Sequence, residues 1–493
     1  MLPGRGVLNA RLVASCGSGY TIGSAPPTVT AVDPRFGGIG GGTNVTITGT
    51  GFCANTIQVF FGTTPAASWV LVSDTQINAV TPPHAAGAVD VTVQTDAGTS
   101  AVNRPGDLFV FRPDTPGVFH PRSPLRVLDT RNNGGKFGPG GNRDLQFGGI
   151  SVPADSTSVI LNVTVTDTST ASSLTLYPSG GTLPLASNLN WVAGETVPNL
   201  VSVKLGSNGS VTIHNVSGSV DVIVDLEGYF EPPITGTAGE FVTLPPSRIT
   251  DTRNGSGQPN SGNKMQPYSQ LDVQVAPAGG VPASGAEAVV LNVTVTETTA
   301  NGGYLIVWPT GQAQPLASNL NWHAGETVPN RVVVAIGAGG KVSFANAGGT
   351  TQLIVDVNGY FTDNTASGAS FSALTPARIL DTRNGTGLPM GKIPAGGTIH
   401  VQVAGQGGVP LMTDVIPPTS VILNVTLVNP TAFGWFIIYP DGTSQPLASD
   451  LNFTAGQIVP NLVVVKLGAN GKIALFNANG SSDAVIDVEG WFG

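Results

Sequence analysis

The sequence predicts an all-β protein, and three observations support this prediction. Glycine and proline are abundant, with 66 Gly and 38 Pro among 493 residues, and the weight of Val, Thr and Asn beside them favours short strands joined by tight turns. Only 10% of the residues are charged and 40% are hydrophobic, which is typical of a folded chain rather than a disordered one. No long segment repeats its apolar residues every three or four positions, so helices are not expected.

Size and charge limit the domain count and the function class. A chain of 493 residues is too long for one hydrophobic core and predicts three to five domains. The net charge of −9 comes from thinly spread charges, and the 21 Lys and Arg residues form no basic cluster. Nucleic-acid binding needs such a cluster to meet phosphates, so that class is excluded. No apolar stretch reaches the roughly 18 to 20 residues of a membrane-spanning helix.

The N-terminal segment, residues 1–25, carries one of the two cysteines, Cys16, while Cys53 lies in the first predicted domain. A disulfide between them and two unpaired thiols both stay open, because sequence does not show whether the Cβ atoms meet. Val13-Ala14-Ser15-Cys16 is similar to a bacterial lipobox, but no apolar stretch precedes it, and the segment is a poor export signal. The composition still suits an extracellular or cell-surface protein.

Three landmarks recur in the same order and define three repeats. Each repeat contains an Asp-Thr-Arg tripeptide, then Leu-Asn-Val-Thr, then a long block that runs from Pro-Leu-Ala-Ser through Val-Pro-Asn to Asp-(Leu/Val)-X-Gly-(Tyr/Trp)-Phe. The Asp-Thr-Arg tripeptides supply Asp129, Asp251 and Asp381 with Arg131, Arg253 and Arg383. The central asparagines are Asn162, Asn292 and Asn424, and the closing aspartates are Asp225, Asp356 and Asp487. Closing aspartates are 131 residues apart, whereas the distance from Asp-Thr-Arg to the central asparagine runs 33, 41 and 43. The second half is therefore a fixed scaffold, and the segment after Asp-Thr-Arg is predicted to be a variable surface loop.

Alternation predicts the strands within each repeat. Val159, Leu161, Val163 and Val165 share one face, so 159–166 is predicted as a half-buried strand with Asn162 on its polar face. Residues 201–205, the turn Gly206-Ser-Asn-Gly209 and residues 211–213 predict a hairpin. With seven to nine strands, each repeat is expected to be a β-sandwich or jelly roll. Short linkers favour semi-rigid beads on a string over one globule.

The segment from Pro26 to Pro113 differs from the repeats. It contains Gly41-Gly-Thr-Asn-Val-Thr-Ile-Thr-Gly-Thr-Gly-Phe52, then Val59-Phe-Phe-Gly62 and Val80-Thr-Pro-Pro83. These motifs resemble the IPT/TIG family, an immunoglobulin-like fold, and in bacteria this implies a spacer or interaction module without chemistry. The repeats resemble domains of exported actinobacterial-type proteins, which implies a surface-associated accessory role. The predicted domains are 26–113, 118–231, 240–362 and 370–493.

The Asp-Thr-Arg tripeptide is the first candidate site. Two interpretations are open: an ion-pair network that locks the fold, with the arginine on the Asp225-type residue or on backbone carbonyls, and an exposed Arg131, Arg253 or Arg383 that binds a carboxylate or a sugar. Calcium would need several carboxylates, and each loop offers one, so no metal site is expected.

Aromatic and catalytic candidates follow. Trp191, Trp322 and Phe453, each after an asparagine, either stack on sugar rings or belong to the core.

The Asn-Val-Thr triplets match a glycosylation sequon but lie in a strand and are interpreted as its polar face. The five histidines share no repeat position, and no catalytic motif appears. Asp225 and Glu227 recur as Asp487 and Glu489, but Asn358 interrupts the series, which favours a structural role over glycoside hydrolysis.

The sequence therefore predicts a non-catalytic protein without cofactors. The first hypothesis is an extracellular structural or adhesive protein that binds a glycan, a cell-surface protein or another copy of itself. An array of carbohydrate-binding modules beside a wall- or polymer-degrading system, and a virion or filament subunit, are the alternatives.

Overall fold

The computed structural model describes residues 25–53, 56–85, 87–112, 116–233 and 236–493. Regular structure in these ranges is β-strand, apart from one 3₁₀ turn at Ala338–Gly340, so the all-β prediction is confirmed. No helix there is long and apolar enough to cross a membrane. Cys16 lies outside the described residues, and its pairing with Cys53 stays a prediction.

The chain forms two compact units, and the first contains the N-terminal module. Two sheets, ordered β1-β3-β7-β6 and β2-β10-β8-β4-β5 with β9 on β8, enclose a core that includes Val45, Ile47 and Phe52. This is an immunoglobulin-like sandwich. Its strands are β1 Thr28–Asp33, β2 Phe36–Gly38, β3 Asn44–Thr50, β4 Thr56–Phe61, β5 Thr64–Pro65, β6 Ser68–Ser73, β7 Gln76–Val80, β8 Gly87–Thr95, β9 Gly98–Thr99 and β10 Leu108–Arg112.

The second unit, Gly117–Pro232 with Thr237–Gly493, contains all three repeats, and each repeat has eight strands. Repeat 1 consists of β11 Val118–Asp129, β12 Asn142–Gln146, β13 Ser158–Thr166, β14 Ser172–Pro178, β15 Leu189–Trp191, β16 Val197–Lys204, β17 Ser210–Asn215 and β18 Asp221–Glu231. Repeat 2 consists of β19 Phe241–Asp251, β20 Gln270–Gln274, β21 Ala286–Thr296, β22 Gly303–Pro309, β23 Leu320–Trp322, β24 Val328–Ala335, β25 Lys341–Asn346 and β26 Gln352–Thr362. Repeat 3 consists of β27 Phe371–Asp381, β28 Gly397–Gln402, β29 Ser420–Val428, β30 Gly434–Pro440, β31 Leu451–Phe453, β32 Ile458–Lys466, β33 Lys472–Asn477 and β34 Asp483–Phe492.

Each repeat is a sandwich of two four-stranded sheets. In repeat 1 the orders are β11-β18-β13-β16, here called the axial sheet, and β12-β17-β14-β15, the peripheral sheet; repeats 2 and 3 match. This strand order is a jelly roll. The predicted hairpin is wrong: β16 and β17 belong to different sheets, and the glycine turn between them crosses the sandwich. The variable segment after Asp-Thr-Arg contains an edge strand, β12 in repeat 1, as well as loop.

The beads-on-a-string prediction is also wrong, because the repeats share a hydrophobic core. This core joins residues of all three axial sheets, including Ile160, Val290 and Ile422. Its centre is a closed ring of six phenylalanines, with neighbouring ring centroids 4.3 to 5.2 Å apart. In order around the ring these are Phe119, Phe230, Phe371, Phe492, Phe241 and Phe361.

The glycine of the closing Gly-(Tyr/Trp)-Phe motif makes this ring possible. A Cβ on Gly228 would lie 2.4 Å from Cζ of Phe119, and Gly359 and Gly490 stand in the same relation to Phe241 and Phe371. Only glycine allows the phenylalanine of the first strand to lie this close to the last strand.

Both faces of β13 are buried, so it is not half-buried as predicted. Val159, Leu161 and Val163 lie in the sandwich core, while the opposite face meets the neighbouring repeat. There Asn162 is 1% exposed and donates from Nδ2 to the carbonyl of Ser318 at 2.6 Å. Asn162 is therefore polar because it makes a contact between repeats.

Candidate functional site

The asparagine of the Val-Pro-Asn motif joins each repeat to the next, so that the three repeats form a closed ring. Oδ1 of Asn330 accepts from the backbone N–H of Leu200, and Asn461 does the same for the next repeat at Arg331, each at 3.1 Å. Asn199 completes the circle by accepting from Leu462 at 3.1 Å. Each interface thus repeats the same contact, which gives the unit approximate threefold symmetry.

The same asparagines also bind the central asparagines across each interface. Nδ2 of Asn330 donates to Oδ1 of Asn162 at 2.9 Å, and the pairs Asn199–Asn424 and Asn461–Asn292 match it at 2.9 and 3.1 Å. Asn162, Asn292 and Asn424 are each 1% exposed, so the sequons are buried contacts between repeats.

The Asp-Thr-Arg tripeptide ends the first strand of each repeat. Arg131 donates through Nε and Nη2 to both carboxylate oxygens of Asp129, at 2.9 and 2.7 Å. The closing Asp225 is bound by a different residue, Arg126, at 2.8 and 3.0 Å. One of the open interpretations paired Asp225 with the arginine of the tripeptide, but the structure pairs it with the arginine five residues earlier. Repeats 2 and 3 have the same pairs at Arg253–Asp251, Arg248–Asp356, Arg383–Asp381 and Arg378–Asp487.

The two carboxylates of each repeat differ in environment. The hydrogen bond from Arg131 lowers the pKa of Asp129. Burial raises the pKa of Asp225, although Arg126 opposes it. The single carboxylate of each Asp-Thr-Arg loop is thus already engaged by an arginine, which leaves no set of free oxygens for calcium.

Asp225 and Glu227 do not form a hydrolytic pair. They are 1% and 2% exposed, and Glu227 accepts a hydrogen bond from Nδ2 of Asn319 in the next repeat at 3.2 Å. Burial raises the pKa of Glu227 well above its usual value. Neither carboxylate has room for a sugar and a water, so the structural interpretation of this pair holds.

The sugar-stacking hypothesis for Trp191, Trp322 and Phe453 is wrong. The three side chains are 1%, 2% and 1% exposed and belong to the separate sandwich cores of their repeats. Two of these aromatic residues lie opposite a glycine on the paired strand. A Cβ on Gly303, for example, would lie 2.3 Å from Nε1 of Trp322, so the ring fills the space of a side chain there. No ring face is left for a ligand.

Different aromatic residues are exposed beside the same asparagines. Tyr304 pairs across the strands with Asn321, and Trp435 pairs with Asn452, and both rings are 37% exposed. The equivalent position in repeat 1 is Ser173, opposite Asn190. The signal was available in the sequence, because one position of β14 and its equivalents reads Ser, Tyr and Trp while the next position stays apolar.

These residues lie in three grooves, one between each pair of repeats. Groove 1/2, about 540 Å³, joins Arg131 of repeat 1 to Tyr304 of repeat 2. Groove 2/3, about 890 Å³, joins Arg253 to Trp435, and groove 3/1, about 380 Å³, joins Arg383 to Asn190. The exposed leucine of Pro-Leu-Ala-Ser lines each groove: Leu316, Leu447 and Leu185. Sequence reasoning found the arginines of this site and missed the aromatic partners.

The N-terminal module and one short segment have known relatives. Residues 27–109 match the IPT/TIG domain. Over 84 residues, 17% of this chain, the sequence is 42% identical to a cyclomaltodextrin glucanotransferase of Paenibacillus macerans, and the match spans 12% of that relative's length.

Likeness to solved structures is low. SGBP-B from a complex xyloglucan utilization locus in Bacteroides uniformis is 11% identical, with 68% of this chain and 99% of that chain covered and a TM-score of 0.14. The triple jelly roll protein of a turret assembly in an archaeal virus is 10% identical, with 76% and 89% covered and a TM-score of 0.15. Such scores carry no argument about function. Residues 27–109 of this chain are an IPT/TIG domain.

Proposed function

We propose that this protein is a non-catalytic, extracellular or surface-associated glycan-binding protein that holds sugar chains in the grooves between its repeats. One observation carries the proposal: the exposed rings of Tyr304 and Trp435 each lie in a groove beside a side-chain amide on the next strand. A flat ring packs against the apolar face of a pyranose, while amides and hydroxyls bind its hydroxyl groups.

The arginines of the grooves favour a neutral sugar over a carboxylate ligand. Arg131 is half exposed, but its charge is matched by Asp129 through Nε and Nη2. Nη1 takes no part in that pair and can donate to a hydroxyl. A carboxylate ligand would have to compete with Asp129 for the guanidinium, whereas a hydroxyl would not.

The groove dimensions agree with this ligand class. Volumes of about 380 to 890 Å³ fall in the range of small-ligand sites, and an open groove admits the middle of a polymer as well as its end. The relative named cyclomaltodextrin glucanotransferase adds support from sequence, although it shares one short stretch with this chain. A protein of this kind would serve as an adhesive or as an accessory to a polymer-degrading system.

Binding to a glycan array tests the proposal. The purified full chain is labelled and applied to an array that includes maltohexaose, chitohexaose and oligosaccharides of xyloglucan and mixed-linkage glucan. The wild-type protein is expected to bind at least one glycan, and the double variant Tyr304→Ala/Trp435→Ala to lose the signal. Tyr268→Ala is the matched control, since Tyr268 is 85% exposed and lines none of the three grooves.

Two results would overturn the proposal. One is the absence of binding to every glycan on the array by a correctly folded wild-type chain. The other is equal binding by the wild type and the double variant, which would place the sugar elsewhere.

A further inference from the structure

We propose that the three grooves are not equivalent and that the repeat unit is a bivalent glycan binder, with one strong site at groove 2/3, a weaker site at groove 1/2 and none at groove 3/1. This inference rests on the proposed function and adds the number, order and identity of the sites. It follows from differences among the three grooves in the residues that form their floors.

Groove 2/3 has the largest aromatic surface. Trp435 is joined there by Phe433, which is 53% exposed, with the two ring centroids 6.4 Å apart and an angle of 64° between the ring planes. Ile437 continues the apolar floor. Two exposed rings offer stacking surface to more than one sugar unit.

Groove 1/2 has one exposed ring. Tyr304 is 37% exposed, and the position equivalent to Phe433 is Gly302, which adds no surface. Ile306 lies on the floor, as Ile437 does in groove 2/3. Loss of one stacked ring weakens binding by about fivefold, if a ring is worth about 1 kcal/mol.

Groove 3/1 has no exposed phenylalanine, tyrosine or tryptophan, and two positions of its floor are polar. Ser173 replaces Tyr304 and Trp435, and Thr175 replaces the isoleucines. His214 lines this groove with its Nδ1 2.6 Å from Oδ1 of Asn142. It is also the smallest groove, about 380 Å³. The arginine, the asparagine and the exposed leucine are all kept, so what groove 3/1 lacks is the stacking surface.

Bivalency has a consequence for long polymers. The two aromatic grooves lie at different interfaces of a closed ring of repeats, so each can hold a separate chain. A protein with two such sites cross-links a polysaccharide and gains avidity on a surface that presents many chains.

Calorimetry with the best-binding hexasaccharide of the array tests the inference. The wild type is expected to bind two molecules per chain. Trp435→Ala/Phe433→Ala, which removes both rings of groove 2/3, is expected to bind one, with about fivefold weaker affinity than the first site of the wild type, and Tyr304→Ala to bind one with the strong affinity retained. Ser173→Trp is expected to raise the number to three, and Tyr268→Ala to leave it at two.

Polymer cross-linking gives a second readout. The parent polysaccharide should become turbid with the wild type and stay clear with Tyr304→Ala or with Trp435→Ala/Phe433→Ala, while Trp435→Phe keeps cross-linking because its stacking rings remain. Thermal unfolding of each variant verifies that it is folded.

Failure of this inference differs from failure of the proposed function. A stoichiometry of one or three for the wild type, or loss of all binding in Trp435→Ala alone, would overturn bivalency and leave glycan binding in place. Absence of any binding overturns both.

Discussion

Arg331 lies fully buried between repeats 2 and 3, with its Nη2 2.8 Å from Oδ1 of Asp450. Its Nη1 donates to Asn358, and its Nε donates to the carbonyl of Leu462 at 3.0 Å. The other two interfaces have leucine in place of Arg331, asparagine in place of Asp450 and glutamate in place of Asn358. Three positions therefore change together at one interface, and each change is compensated by the other two.

The first prediction concerns this buried ion pair. Arg331→Leu reproduces the residue of the other interfaces but leaves Asp450 buried without its partner, so it should lower the free energy of unfolding by about 3–5 kcal/mol. The triple variant Arg331→Leu/Asp450→Asn/Asn358→Glu rebuilds the complete set found at the other interfaces and should recover most of that loss. Denaturant unfolding of the full chain measures both. A triple variant as unstable as the single one would show that the three positions are not coupled.

The second prediction concerns the pH dependence of stability. Glu489 is fully buried at the interface of repeats 3 and 1, accepts hydrogen bonds from Asn188 and from the backbone of Ser202, and burial raises its pKa to about 8. In the unfolded chain a glutamate has a pKa near 4.5. Between these values the unfolded state is ionised while the folded state keeps its proton, so stability falls by about 1.4 kcal/mol per pH unit as the pH rises and levels off above about 8.

Glu489→Gln should make the measured fall shallower by this amount, because the amide keeps the shape and cannot ionise, while Glu227 and Glu287, whose pKa values burial also raises, still contribute. The measurement is the free energy of unfolding at several values from pH 4.5 to 8.5. Glu297→Gln is the control, since Glu297 is half exposed. Parallel pH profiles for Glu489→Gln and the wild type would contradict the prediction.

Much of the fold could be predicted from the sequence, since local patterns decide strands and turns. The alternation in 159–166 identified the face with Val159 and Leu161, and the recurring motifs identified three related domains. The sequence did not show that the opposite face, with Asn162, contacts another repeat. A polar residue in a strand gives the same sequence pattern whether its side chain contacts water or a buried amide. The association of the repeats depends on contacts between residues 92 or more positions apart, and no local pattern encodes them.

The candidate site could be predicted only in part, again because sequence does not show which side chains are buried. The repeated arginine at Arg131 stood out as a charge in a chain with few charges. Trp191 also stood out, because it is the most conspicuous ring in its motif, yet an aromatic residue recurs at this position in all three repeats because it packs in a core. Position 173, which varies as Ser, Tyr and Trp, was the better signal of an exposed face.

The third prediction separates the two kinds of aromatic residue. Trp191→Ala should cost about 3–5 kcal/mol of stability, because it leaves a cavity in the core of repeat 1 and an unpaired carbonyl at Thr170. Trp435→Ala should cost less than Trp191→Ala, because that side chain is 37% exposed and its removal leaves no enclosed cavity. Calorimetric scans of the two variants measure this. A large loss in Trp435→Ala would mean that its ring is part of the packing.

The last prediction separates the two arginines of each first strand. The Arg248 side chain is 12% exposed and holds Asp356, a buried carboxylate, so Arg248→Ala should cost about 3–5 kcal/mol by leaving that charge without its counterion. The Arg253 side chain is 44% exposed, and its partner Asp251 is buried but also has Arg248 Nη1 at 3.4 Å, so Arg253→Ala leaves that carboxylate a counterion and should cost less than Arg248→Ala. Urea unfolding of the two variants compares them directly, and Arg248→Lys, which keeps the charge without the two-pronged geometry, should fall between them. Equal losses for Arg248→Ala and Arg253→Ala would mean that the tripeptide arginine stabilises the fold as much as the buried one, and that the Asp-Thr-Arg motif is retained for folding rather than for the groove.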